Sequence, residues 1–314
     1  MRERATTFSE APRLAGVVCD PETGGLEERP AFVFLNAGIL HRVGPSRIHV
    51  HLARALGRDG HPSLRFDFSG FGDSENPRDG LPFRDRGVAE AGRAMDYLKE
   101  SLGSRQFILV GLCSGAEVGH ASGVADPRVV GIVPMDGHIF RTPRFYLHRY
   151  GPRLIRLESW LNLLRGRTYL GPFIRRLVGP DPGPTLAEGS EVFEMDRPAK
   201  AEIEADLQQL VDRGVRMLQI FTGGMDDLCT YQGQFEEAFA SIDFEELLQV
   251  EFFSEADHTF TSPRDQQRLV ETVAGWAREC WPRVDERPAP APAEPKHERG
   301  RRRSPSAGMT DPAP

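Results

Sequence analysis

The nine residues Ile108-Leu109-Val110-Gly111-Leu112-Cys113-Ser114-Gly115-Ala116 constrain this chain more than any other stretch. An apolar run of strand character breaks at Gly-Leu-Cys-Ser-Gly, and a helix-compatible segment, Ala116-Glu117-Val118-Gly119-His120-Ala121, follows at once. Strand, tight turn and helix in that order describe a nucleophile elbow. The side chain at its tip sits on a strained turn, so the residues two before and two after it must be small. Gly111 and Gly115 meet that demand around Cys113, whereas Ser114 would be flanked by Leu112 and Ala116. We therefore expect Cys113 at the tip, with Ser114 as the alternative nucleophile. A cysteine that merely fills space would need neither the two glycines nor the change from strand to helix.

The surroundings of the elbow set the fold class. Residues from about 5 to 19 alternate polar and apolar and suggest a hairpin or two edge strands. The runs at 31–35, 63–68, 129–135, 215–221 and 247–253 read as strands, the first as one buried on both faces of a sheet. Helical segments separate them: Arg47 to Leu56, a stretch with Val88, Ala91, Met95 and Leu98 on one face, and Asp265 to Trp276. Strands alternating with helices predict an α/β fold with a mostly parallel central sheet, whose site lies at the carboxyl ends of the strands. Every candidate residue falls just after a predicted strand.

The order of these landmarks resembles the α/β-hydrolase superfamily, in particular its lidded, serine aminopeptidase-like branch. Asn36-Ala37-Gly38 stands where relatives carry His-Gly-x. Asp67-Phe68-Ser69-Gly70-Phe71-Gly72-Asp73-Ser74 matches D-x-x-G-x-G-x-S, and Gly111 to Gly115 supplies the elbow. Gly223-Gly224-Met225-Asp226 matches the acid turn and Asp257-His258 the histidine loop. The resemblance spans about residues 5 to 282 and departs from the common pattern in having cysteine for serine. Cysteine at this place also resembles dienelactone-hydrolase-like enzymes and polyhydroxyalkanoate synthases, so the departure leaves hydrolysis and acyl transfer both open.

Within that order the base is expected at His258, directly after the last strand. His41, His49, His51 and His61 precede the elbow, His120 lies on its helix, His138 and His148 fall in an insertion, and His297 is in the tail. The acid is expected at Asp226, three residues after Gly223, with Asp227 as its alternate and Asp136, after the preceding strand, as a third choice. Asp257 adjoins His258 in sequence and is read as structural. Resemblance further implies backbone N–H donors for an oxyanion from Ser114 and Gly38, with Ile39 as the alternate, and a structural role for the glycine turn of Asp67 to Ser74.

Core connections in such folds are short, so the residues at 138–200 predict a helical lid inserted between core segments 1–137 and 201–284. From His138 to Val178 nine arginines (141, 144, 149, 153, 156, 165, 167, 175 and 176) face a single acid, Glu158. The plainer reading is amphipathic lid helices with solvated arginine faces. The sharper one is an anionic partner at the lid, coenzyme A or an acyl carrier protein, with the apolar face lining an acyl tunnel. Residues 285–314 hold seven prolines and no Phe, Trp or Tyr, a composition that cannot bury a core and predicts a disordered tail.

Charge and cysteine usage narrow the rest. Lys and Arg number 39 against 46 Asp and Glu, a net charge of −7 that disfavours nucleic acid as a partner. The four cysteines show no metal-type pairing and fit a reducing, cytoplasmic setting. No segment reads as a signal peptide or a membrane span, and neither cofactor nor metal is expected. The expected substrate is a small acyl ester or thioester. It is cleaved through an acyl-enzyme that passes to water (thioesterase or esterase) or to an alcohol or amine (acyltransferase). A binding protein that has lost catalysis is the remaining alternative.

Overall fold

The computed structural model describes residues 1–21, 29–155 and 198–282. Eight strands form one sheet in the order β1-β2-β4-β3-β5-β6-β7-β8. They are β1 (Arg2–Phe8), β2 (Leu14–Asp20), β3 (Ala31–Leu35), β4 (Ser63–Phe66), β5 (Phe107–Leu112), β6 (Val129–Met135), β7 (Arg216–Thr222) and β8 (Leu248–Phe253). The β1–β2 hairpin and the β2–β4 pair are antiparallel, and every pair from β4 to β8 is parallel. All the predicted strands are present, with ends shifted by a residue or two.

The helices are α1 (Ile48–Arg58), α2 (Phe83–Leu102), α3 (Ser114–Ala125), α4 (Pro143–Ile155), α5 (Lys200–Asp212), α6 (Gln234–Ala238) and α7 (Pro263–Cys280). They cover both faces of the sheet, as the alternation along the central strands shows. Ala31, Val33 and Leu35 of β3 join a core with Ala91, Met95 and Leu98 of α2 and Ile203, Leu207 and Leu210 of α5. Phe32 and Phe34 point the other way, into a core with Leu52 and Leu56 of α1 and Leu269 and Val273 of α7. Successive strand side chains face opposite ways, so a strand covered on both sides must be apolar throughout. That is why β3 and β5 read as unbroken apolar runs.

The greater part of the expected lid, 156–197, and the tail from 283 onward lie outside the described residues. So do residues 22–28. Among the described residues no helix is long and apolar enough to cross a membrane.

Candidate active site

The elbow forms where the sequence places it. β5 ends at Leu112, Cys113 adopts φ 56° and ψ −118°, and α3 begins at Ser114. A positive φ is strained for a non-glycine residue and persists only when the surroundings fix it. Here the Cys113 N–H donates to the Met135 carbonyl at 3.0 Å, and the Cys113 carbonyl accepts the first helical N–H groups, from Ala116 and Glu117. The two glycines are steric necessities. A Cβ on Gly111 would overlap the Gly115 carbonyl, and one on Gly115 would lie 2.6 Å from the Asn36 carbonyl oxygen. Cys113 is partly exposed at the tip, and the positive end of α3 lies beneath it.

His258 follows β8 on a short loop whose shape Asp257 sets. The Asp257 carboxylate accepts from the N–H and hydroxyl of both Thr259 and Thr261, which hold it well below the ordinary carboxylate range, at about 2. The expected structural role of Asp257 is thus visible. His258 Nδ1 donates to Asp136 Oδ2 at 2.7 Å, leaving Nε2 as the other face of the ring. Hydrogen bonds to Asp136 and then to Cys113 raise the His258 pKa to about 10, against the opposing effect of burial.

The carboxylate at the histidine is therefore Asp136, not Asp226. Asp136 directly follows β6, at φ 47°, and its side chain is 1% exposed. Its Oδ1 accepts the Thr222 N–H and its Oδ2 the Thr222 hydroxyl, both at 2.7 Å. The Asp136 N–H in turn donates to the Ile220 carbonyl at 2.8 Å. Asp226 and Asp227 lie past the turn after β7 with side chains 71% and 69% exposed. They pair with Arg149 of α4, Asp226 at 3.0 Å. The structure does not bring either to His258. The reason is packing: a Cβ on Gly223 would overlap the Ser254 carbonyl, and one on Gly224 would come within 2.5 Å of the His258 backbone nitrogen. The glycine pair lets this turn press against the histidine loop, and the acids beyond it emerge on the outside. In the sequence Thr222 carries no signal beyond a hydroxyl-bearing residue at the end of a strand.

On the other side of the elbow, the Gly38 N–H points at Ser114 and donates to its Oγ at 2.8 Å. Ser114 is 3% exposed, while Cys113 holds the tip, so the serine side chain belongs to the base of the site. Ile39, the alternate donor, has a side chain 66% exposed. Asn36 carries this loop: its Nδ2 donates to the Leu40 carbonyl at 2.5 Å and its Oδ1 accepts the Phe68 N–H at 3.0 Å.

The expected glycine turn after β4 is built on Asp67. This fully buried carboxylate accepts the Arg42 N–H at 2.6 Å, the Arg42 guanidinium and the Asp73 N–H at 3.1 Å. Gly72 passes so close to it that a Cβ would overlap the carboxylate. The Ser74 hydroxyl donates to the Asp67 carbonyl at 2.6 Å and accepts the Ala15 N–H. The D-x-x-G-x-G-x-S residues thus tie this turn to the Asn36 loop. His41 joins Asp67 and Asp73 within 4.8 Å, a grouping that could ligate a metal, but the cation of Arg42 already pairs with both carboxylates.

Other histidines are engaged elsewhere. His120 pairs with Asp206 at 3.1 Å, joining α3 to α5, His61 bonds the Pro30 carbonyl, and burial pushes His49 down to about 4. Of the insertion's arginines, Arg141 donates to the Asp227 carbonyl, Arg144 lies 4.7 Å from the centre of the Tyr231 ring, and Arg149 holds the two aspartates. Of the other six, only the backbone of Arg153, within α4, is described.

The sheet order, the elbow and the histidine on the loop after the last strand can be set beside known proteins. A sequence model of the alpha/beta hydrolase family matches residues 32–290. The chain belongs to that family. Solved structures share the fold at low identity. An esterase from Pyrococcus furiosus is 16% identical at a TM-score of 0.55, covering 89% of this chain and 91% of its own. The proline iminopeptidase of Mycobacterium smegmatis is 16% identical at 0.55, covering 88% and 98%. Mouse alpha/beta hydrolase domain-containing protein 10 is 14% identical at 0.51, covering 89% and 100%. No curated protein matches this alpha/beta hydrolase in sequence.

Proposed function

We propose that this alpha/beta hydrolase cleaves small acyl esters or thioesters with Cys113 as nucleophile, His258 as base and Asp136 as the group that orients the base. The observation that carries the reading is the continuous hydrogen-bonded line from the elbow sulfur through His258 to a buried Asp136, itself fixed by Thr222. His258, bonded to Asp136 on one side and to Cys113 on the other, keeps its proton up to about pH 10 and so is placed to hold the proton that leaves the sulfur. Asp136, buried and bonded to Nδ1, holds the ring with Nε2 towards the sulfur.

The Cys113 sulfur, its proton held on His258, adds to the acyl carbon, and the carbonyl π pair becomes an oxyanion stabilised by donors at the elbow. Collapse expels the alkoxide or thiolate, which takes the proton from His258. Water, deprotonated by His258, attacks the Cys113 thioester and releases the acid. Transfer to an alcohol or amine would use the same acyl-enzyme. The described arginines of the insertion are spent on partners within the chain, so coenzyme A or a carrier protein has no support from them. Hydrolysis is therefore the first reading, and the aminopeptidase-like branch is a resemblance in architecture and not in substrate.

Intact-protein mass spectrometry with a panel of acyl thioesters tests this. An adduct on wild type that never forms in Cys113→Ala and still forms, more slowly, in Ser114→Ala is the expected result, with water discharging it as fast as any alcohol or amine. Discharge accelerated by an acceptor would make the enzyme a transferase. An adduct that persists in Cys113→Ala would overturn the assignment of the nucleophile.

A further inference from the structure

We infer that the Ser114 side chain, not the Gly38 amide, presents the second donor to the oxyanion, with the Gly38 N–H acting through it. The inference rests on the acyl chemistry proposed for Cys113 and deepens it.

An oxyanion hole needs N–H or O–H groups free to turn to the new negative charge. The Gly38 N–H is committed: it donates to Ser114 Oγ at 2.8 Å. Its conformation, φ 54° with open space around the α-carbon, belongs to glycine and fixes the direction of that N–H towards Ser114. The serine hydroxyl therefore acts as an acceptor on one side. Its own proton remains, and among the described residues no hydrogen bond accepts it. Ser114 is 3% exposed, so this proton is an unfilled donor in a nearly closed place.

Ser114 is also the residue next to the nucleophile, and its backbone N–H is the first expected donor. The N–H and the O–H of one serine are separated by the N–Cα–Cβ–Oγ path and can converge on one oxygen. The Gly38 bond supports such a chelate, because a hydroxyl that accepts from an amide becomes a stronger donor. No proton is transferred: when the Cys113 sulfur adds to the acyl carbon, the oxyanion accepts hydrogen bonds from Ser114 N–H and Oγ–H. On collapse the electron pair returns to the carbonyl and the leaving group departs with the His258 proton.

The test compares two reactions of the same sulfur. Acylation by a thioester passes through an oxyanion, whereas alkylation by iodoacetamide displaces iodide at a tetrahedral carbon and forms none. Both rate constants are measured for wild type, Ser114→Ala and Ser114→Thr, with thermal melting as the check of folding. Ser114→Ala is expected to lower the acylation rate roughly 10²- to 10³-fold while alkylation stays within about two-fold, and Ser114→Thr, which keeps the hydroxyl, to recover most of the loss. Unchanged or faster acylation in Ser114→Ala would show that the freed Gly38 N–H is the direct donor and overturn the inference. An equal fall in both reactions would also overturn it, since the serine would then only hold the elbow in shape. A wild type that is alkylated at Cys113 but takes no acyl group from any thioester would fail at the level of the proposed function.

Discussion

Asp136 Oδ2 and His258 Nδ1 lie 2.7 Å apart although 122 residues separate them in the chain. One closes β6 and the other follows β8, with β7 between them in the sheet. The carboxylate therefore reaches across the end of β7, and Thr222 at that end is the residue that steadies it.

The first prediction concerns the acid. Asp136→Asn should cut the rate of acyl-enzyme formation about 10³- to 10⁴-fold, because the amide would accept poorly from Nδ1 and favour the wrong tautomer. Asp226→Asn and Asp227→Asn should stay within a few-fold of wild type, as their carboxylates face Arg149. Single-turnover kinetics on the three variants would rank them; a larger loss in Asp226→Asn would move the role to that residue.

Thr222 gives a second test. Thr222→Val removes the hydroxyl bond to Asp136 Oδ2 but keeps the backbone bond to Oδ1. Loss of one buried charge-assisted hydrogen bond should cost about 1.5–3 kcal/mol of stability. It should also lower kcat with little change in KM, and Thr222→Ser should restore both. A Val variant with unaltered kcat would leave the threonine a packing role only.

Stability should carry the signature of His258. Its pKa rises from 6.5 in the unfolded chain to about 10 in the fold. The folded state thus holds a proton that the unfolded state has released. The stabilisation is complete below about 6.5 and disappears as pH climbs through about 10. Urea midpoints measured across that interval should fall more steeply for wild type than for His258→Gln. Parallel curves would mean that the imidazole is not held by Asp136 and Cys113 in solution.

The elbow glycines can be separated from glycines in general. Gly111→Ala and Gly115→Ala should each destabilise by at least about 1–3 kcal/mol, since their new methyl groups meet backbone that cannot move aside. Gly92→Ala, inside α2 with nothing within 4 Å of the added carbon, should stabilise by about 0.5–1 kcal/mol instead. Denaturant unfolding of the three proteins checks the contrast.

What was legible in the sequence follows from which signals are local. The central strands announced themselves because burial on both faces makes Ala31–Leu35 and Phe107–Leu112 continuously apolar. The elbow showed because its steric demand falls on residues two positions away, and His258 because chain order leaves one candidate. That Asp136 and not Asp226 meets His258 is hidden in the sequence for an equally physical reason. In the sequence Gly223 and Gly224 look like spacing marks for Asp226, whereas they are small so that two backbones can touch. The bond that does place the acid, Thr222 to Asp136, joins residues 86 apart and leaves no pattern in either neighbourhood. The engagement of Gly38 with the Ser114 hydroxyl is likewise invisible without coordinates, since an amide has no side chain to betray its direction.

The position of Asp136 in the sheet has a consequence for descent. Its N–H and carboxylate close the end of the β6–β7 pairing, so this residue holds the scaffold as well as the His258 ring. The Cys113 side chain carries no comparable burden. A lineage that abandoned the proposed reaction would be free to replace the thiol early, yet would pay in folding for replacing the aspartate. In a relative of this fold, an aspartate at the end of β6 is therefore a mark of architecture first and of catalysis second.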